Sequence, residues 1–180
     1  MHDKKSIRKQ VLQIRKNMDR DEVNKLSKII CNNVSRLEKF VSADKICLYM
    51  PINNEVDTKY LMDICFSMGK EVYLPKVLGD NMEFYQYNLN TKLVEGAYNI
   101  LEPDNKKILQ PDNKTLVVMP GAVFSEDCNR IGYGGGYYDR YLEKYTDCYK
   151  VAICYKFQIL DKIPSDEHDI KPDIIICEDI

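Results

Sequence analysis

Apolar residues return at helical spacing along the first forty positions. Ile7, Val11, Leu12 and Ile14 are separated by lysines, arginines and glutamines, and Val23, Leu26, Ile29, Ile30, Val34 and Leu37 form a second stripe. Both patterns predict amphipathic helices. Asp19 followed by Glu22 has the spacing of a capping box and predicts the start of the second helix. From Lys45 the pattern changes. Lys45 to Met50 is a short apolar run ended by Pro51, which suits a buried strand. Thr58 to Met68 reads as a helix stopped by Gly69, and Glu71 to Pro75 as a second strand. Strand, helix and strand in this order predict parallel strands covered by helices.

Further along, Met82–Tyr87 and Leu93–Tyr98 are more polar strands, and Glu102–Lys114, with two prolines and several Asp and Asn residues, is a loop. Thr115 to Gly121 is the most hydrophobic strand and is expected at the centre of the sheet. Tyr138–Tyr145 reads as a helix, Lys150–Tyr155 and Asp173–Cys177 as the last strands. The expected fold is one α/β domain over residues 1–180, a mostly parallel sheet flanked by helices, with an amino-terminal helical pair.

Composition narrows the function classes. Of the 180 residues, 44% are hydrophobic and 30% charged, and the net charge is −2. An RNA-binding module stacking bases on tyrosines would need a basic excess that the chain lacks. No apolar run approaches the roughly 20 residues that cross a bilayer, and the segment Met1–Arg8 carries no apolar stretch of a secretory signal. Seven cysteines include no pair spaced as in zinc ribbons or redox motifs, and several lie in apolar runs. They read as reduced cysteines of a cytoplasmic protein.

The chemistry concentrates between Asn129 and Leu142. Gly132, Gly134, Gly135 and Gly136 fall within five positions, interrupted by Tyr133 and followed by Tyr137, Tyr138 and Asp139. Such a loop running into a helix can bring backbone N–H groups to a phosphate. It also suits a flexible glycine loop with core tyrosines. It is neither a Walker loop, which ends in Gly-Lys-Ser/Thr, nor the dinucleotide fingerprint, which follows a first strand. Lys4 and Arg8, four apart, share a helix face; taken alone they also suit a solvated basic surface. Asp139 at a helix start could cap it or hold a metal.

The runs Met119-Pro120-Gly121-Ala122-Val123-Phe124, Asn129-Arg130-Ile131-Gly132 and Gly134-Gly135-Gly136-Tyr137-Tyr138-Asp139 resemble those of 5-formyltetrahydrofolate cyclo-ligases, the methenyltetrahydrofolate synthetases. The resemblance extends over most of the chain, through Lys4-Lys5-Ser6-Ile7-Arg8, Met50-Pro51, Glu55-Val56-Asp57-Thr58, Pro164, Asp169 and Asp173. It implies an ATP- and Mg²⁺-dependent cyclisation of 5-formyltetrahydrofolate to 5,10-methenyltetrahydrofolate, a reaction of small molecules, and nothing in the sequence demands an assembly larger than a monomer or a nucleic-acid or membrane partner. It further implies that Lys4, Lys5, Ser6, Ile7 and Arg8, together with Arg130, Ile131, Gly132, Tyr133, Gly134, Gly135, Gly136, Tyr137 and Tyr138, bind ATP. Met50, Glu55 and Tyr137 would contact the folate, Arg130 and Tyr137 would act in catalysis, and Asp139 and Asp169 would hold the metal. Some members carry basic residues in the glycine loop where this chain has Tyr133 and Gly135. Lys4, Arg8 and Arg130, joined by Lys76 or Arg140, are then left to counter the charge of the transferred phosphoryl group.

Overall fold

The computed structural model of the protein describes residues 3–179; Met1 and His2 of the amino-terminal segment discussed above lie outside them. A six-stranded sheet organises the chain in the order β11-β9-β6-β1-β2-β3. Its strands are β1 (Lys45–Cys47), β2 (Glu71–Leu78), β3 (Asn81–Tyr87), β6 (Thr115–Met119), β9 (Tyr149–Ile153) and β11 (Ile174–Ile176). Every pairing is parallel except that of β2 with β3.

Period-two alternation assigns each strand residue to one of two cores. Ile46, Leu116, Val118, Val151 and Ile153 face α2 (Arg20–Ser35) and α4 (Lys59–Ser67) through Ile30, Val34, Leu61 and Cys65. Cys47, Val117, Met119 and Ala152 face the opposite layer, where α5 (Tyr137–Lys144) contributes Tyr141 and Leu142. All five residues of β6 are buried, as a strand covered on both faces requires. The predicted central position of this strand is observed.

Two smaller sheets complete the fold. β7 (Val123–Ser125) pairs with β8 (Arg130–Ile131) and β10 (Ile159–Leu160), and β4 (Leu93–Glu95) pairs with β5 (Leu101–Pro103). Helix α1 (Lys4–Lys16) packs Val11 into a separate cluster with Ala122, Val123, Ile131 and Ile163. The two amino-terminal helices therefore serve different layers, α1 on the β7–β8 sheet and α2 on the main one.

The differences from expectation have local causes. Asp19 makes no side-chain cap; its carbonyl accepts from Val23 N instead, whereas Asp3 caps α1 by accepting from Ser6 N at 2.7 Å. Ile14 and Ile29 are exposed, and Arg15 and Ser27 are buried in their place. β2 continues through Pro75, which is tolerated because β1 pairs only as far as Tyr73, leaving one neighbour there. The strand expected at Leu93–Tyr98 stops at Glu95, and a 3₁₀ turn follows with Tyr98 and Asn99 at φ of 58°. The loop expected from Glu102 begins inside β5, and α3 (Glu38–Ser42), β7, β8 and β10 have no counterpart in the hydrophobic pattern. Among the described residues no helix is long and apolar enough to cross a membrane. All seven cysteines are free and six are buried, with burial pushing the Cys31 and Cys65 thiols up to about 12.

The β4–β5 hairpin is tied to β2 by one carboxylate. Glu102, buried, accepts from Val77 N at 3.0 Å and from Ala97 N at 3.4 Å. Gly96 makes room for it, since a Cβ there would overlap the Glu102 carboxyl group. Gly96→Ala is expected to lower stability by about 1–3 kcal/mol, read as a reduced urea midpoint at unchanged slope.

Candidate active site

The strand order reverses between β1 and β6: the chain leaves β1 toward β2, and leaves β6 toward β9. Ligands of open α/β sheets bind at such a point, beyond the carboxyl ends of the strands. Here a cavity of about 630 Å³ opens, with Tyr49 and Met50 following β1 and Pro120 following β6 in its wall. Helix α1 closes one side with Lys4 and Arg8, the β4–β5 hairpin another with Tyr98 and Glu102, and the glycine loop forms the rim.

Most residues singled out in the sequence line this cavity: Lys4, Arg8, Met50, Glu55, every residue from Arg130 to Asp139, and Asp169. Lys5, Ser6 and Ile7 do not. Lys5 is exposed, Ser6 donates its backbone N–H to the Asp3 cap, and Ile7 packs on the β7–β8 cluster. A helix shows only its i, i+4 face to one side, so a contiguous run of five cannot all enter. Lys76 and Arg140 also lie outside the wall. The Lys76 ammonium sits 5.7 Å from the Tyr85 ring centroid, and Arg140 donates to Asp80 O and Gly135 O.

Two ion pairs stand in the cavity wall. Arg130, 6% exposed, donates from Nη2 to Asp139 Oδ1 at 2.7 Å and from Nη1 to Pro120 O at 3.2 Å, while its Nε has no partner. Asp139 Oδ1 also accepts from Ile170 N at 3.1 Å. Lys4 bridges Asp166, at 2.6 Å, and Asp169. Burial works to raise the Asp169 carboxyl, but the Lys4 ammonium and the Asp166 N–H outweigh it and hold it below the usual carboxylate range. Arg8 makes one weaker bond, from Nη1 to Gly132 O at 3.3 Å.

The loop itself needs its glycines. Gly134 has φ of 101° and Gly136 of 64°, in the left-handed region. A Cβ on Gly135 would run into the Tyr137 ring. That ring lies under the Arg140 guanidinium, 5.1 Å from its centroid, and edge-on to Tyr98 with the two hydroxyls 3.3 Å apart. Tyr133 turns inward, and its hydroxyl donates to Glu55 Oε1 and accepts from Arg15 Nη1 at 2.6 Å.

The family model for 5-formyltetrahydrofolate cyclo-ligases matches residues 1–178. The chain belongs to this family. A 5,10-methenyltetrahydrofolate synthetase of Aquifex aeolicus, solved by NMR, superimposes with a TM-score of 0.87 at 34% identity, covering 98% of this chain and 90% of that one. One from Mycoplasma pneumoniae superimposes with a TM-score of 0.80 at 28% identity, covering 99% and 100%. The mouse 5-formyltetrahydrofolate cyclo-ligase is 26% identical over 98% of this chain and 94% of its own length. The single α/β architecture is thus that of the cyclo-ligase fold.

Arg15, Tyr98 and Glu102 help to build the site without belonging to any sequence motif. The signal for Arg15 was present: it stands four residues after Val11 and seven after Arg8, on the face of α1 that turns inward. Tyr98 and Glu102 were read as the end of a strand and the start of a loop, which hid the turn that places them.

The Arg130–Asp139 pair carries a structural load as well. Asp139→Ala would leave a buried guanidinium short of an acceptor and the Ile170 N–H unbonded, and is expected to cost about 1–3 kcal/mol. In a double-mutant cycle with Arg130→Met, the loss of the double variant measured by urea unfolding should be smaller than the sum of the two single losses.

Proposed function

We propose that the protein uses ATP to close 5-formyltetrahydrofolate into 5,10-methenyltetrahydrofolate, releasing ADP and phosphate. The observation that supports this reading is the convergence on one cavity of residues far apart in the chain. Lys4, Arg8 and the Arg130–Tyr138 loop meet Met50, Glu55, Asp139 and Asp169 there, in a chain that belongs to the cyclo-ligase family.

The chemistry explains the need for ATP. A formamide oxygen is a poor leaving group, so attack by N10 alone stalls. The formyl oxygen attacks the γ-phosphorus and ADP leaves. N10 then adds to the formyl carbon and gives up its proton. The N5 electron pair expels phosphate, breaking the carbon–oxygen bond. Such a transfer is accelerated mainly by positioning and by charge stabilisation. Lys4, Arg8 and Arg130 provide the positive charge, and the glycine loop provides N–H groups at the start of α5, where no side chain caps the helix. Glu55 accepts from the N–H edge of the pterin, and Tyr137 faces the substrate with Tyr98 across the cavity mouth.

The residues present fit a magnesium ion bound together with the nucleotide. Among the described residues no group of three or more His, Cys, Asp or Glu side chains could hold a metal by itself. Asp139 and Asp169 each use one oxygen in the bonds above, while Asp139 Oδ2 and Asp169 Oδ1 accept none among those residues. Mg²⁺ commonly takes one or two carboxylates and completes its shell with phosphate oxygens and water. Bound there, it would offset phosphate charge.

Mixing the protein with 5-formyltetrahydrofolate and Mg·ATP should produce absorbance in the methenyl-folate band that is absent when ATP is omitted. No rise would remove the proposal. Glu55→Gln is expected to raise the folate KM about 10- to 100-fold, the range for a lost charge-assisted hydrogen bond, with the ATP KM nearly unchanged. Equal effects on both substrates would move Glu55 away from the pterin.

A further inference from the structure

Arg15 is 2% exposed, in a helix whose other inward charges, Lys4 and Arg8, reach the cavity itself. A buried guanidinium must find acceptors, and those of Arg15 come from two separate segments. Its Nε donates to Asn53 O at 3.1 Å, and its Nη1 to the Tyr133 hydroxyl at 2.6 Å. Its Nη1 lies 4.0 Å from Glu55 Oε1, and its guanidinium carbon lies 5.5 Å from the Tyr133 ring centroid. Tyr133 passes the contact on by donating to Glu55 Oε1. The glycine loop has no basic side chain from Ile131 to Tyr138, and the cation that meets the Tyr133 hydroxyl arrives from α1.

The same helix end anchors the turn that carries Glu55. Asn53 and Asn54 have positive φ, 49° and 58°. The Asn54 amide donates to Arg15 O and Met18 O at 3.2 and 3.3 Å, closing the carbonyl end of α1. Glu55 N donates to Ile52 O, and Ile52 N donates to Glu55 Oε2, both at 2.9 Å. The carboxylate is thereby gripped on Oε2 by its own turn and on Oε1 by the loop opposite.

We infer that Arg15 is a positioning residue for the pterin side of the site, serving as the counterion of Glu55 and, through the Tyr133 hydroxyl, fixing the direction of its carboxylate. This rests on the proposed role of Glu55 toward the pterin. The groups facing Glu55 leave no other cation for the task among the described residues. Tyr49, Tyr133, Tyr138 and Tyr155 surround it from the chain after β1, the glycine loop, α5 and the chain after β9. Burial raises all four phenols, so they stay neutral. Lys4 is committed to Asp166 and Asp169, and Arg8 to Gly132 O. Burial pushes the Glu55 carboxyl up, opposed by Arg15, Tyr133 and the Ile52 N–H. Removing Arg15 therefore raises it further, so that on acidification the carboxylate, and folate binding with it, is lost already at a higher pH.

The test begins on the ligand-free protein, with the Glu55 carboxyl followed by ¹³C NMR titration. Arg15→Met should raise its midpoint by about one pH unit or more, Tyr133→Phe should raise it less, and Arg15→Lys should return it toward wild type. In turnover assays Arg15→Met should raise the folate KM about tenfold or more, leave the ATP KM within about twofold, and move the acid limb of kcat/KM for folate upward by the same shift as the NMR midpoint. Should Arg15→Met fail to fold by circular dichroism, Tyr133→Phe, which keeps the guanidinium, carries the decision. A Glu55 midpoint indifferent to the variants that fold, or folate and ATP KM rising together, overturns the inference. Absence of any product from the wild-type protein would overturn the cyclo-ligase reading instead, and the titration would still decide whether Arg15 controls Glu55.

Discussion

A guanidinium withdrawn from water must be given acceptors, and the way Arg130 meets that demand shapes the whole site. Arg130 begins β8 and Asp139 stands in the first turn of α5, so their ion pair closes the glycine loop at its base. Its second bond, to Pro120 O, fixes that loop to the end of β6 at the strand reversal. Asp139 in turn holds Ile170 N, which brings Asp169 to the cavity wall. Gly132 belongs to the same arrangement, since a Cβ there would press on Arg130 Nη1 at 3.0 Å. A leucine at 130 could fill the space, but nothing would then hold loop, strand end and carboxylates in register.

The second consequence is electrical. Two carboxylates in the wall, Asp139 and Asp169, are each neutralised by a cation, Arg130 and Lys4. Buried or half-buried pairs of this kind return little net stability, because desolvation offsets their attraction. In the proposed reaction a polyphosphate would present negative charge to Lys4, Arg8 and Arg130, while Asp139 Oδ2 and Asp169 Oδ1 would be the oxygens left for a divalent cation. Glu55 differs. Its cation, Arg15, lies behind it and away from the cavity wall, so the pair persists while the site fills.

How far this was legible in the sequence depends on the range of the interactions. β6 and β1 were legible because burial on both faces demands an unbroken apolar run. β7, β8 and β10 were not, being two or three residues long and defined by partners that lie far apart in the chain. The positive φ of Tyr98, an uncommon conformation for a non-glycine residue, is set by the hairpin and by Glu102 rather than by local preference. The glycine block, contiguous in the sequence, was contiguous in the cavity wall as well. The contiguous run Lys4–Arg8 was not, because contiguity means proximity in a loop and divergence in a helix.

Helix α1 carries that last point furthest. Lys4, Arg8, Val11 and Arg15 recur at intervals of four, three and four, the spacing of a buried stripe. Only Val11 is apolar. Ile14, one of the apolar residues of the helix, is left 53% exposed. The inner face of the helix is defined by acceptors on other segments: Asp166 and Asp169 for Lys4, Gly132 O for Arg8, Asn53 O and Tyr133 for Arg15. The stripe is graded along the helix. Lys4 and Arg8 line the cavity, Val11 seals the β7–β8 sheet, and Arg15 lies deepest, behind the carboxylate. A helix built this way gains its place in the fold from the same contacts that shape the site, so its docking and the geometry of Glu55 are one interaction seen from two ends.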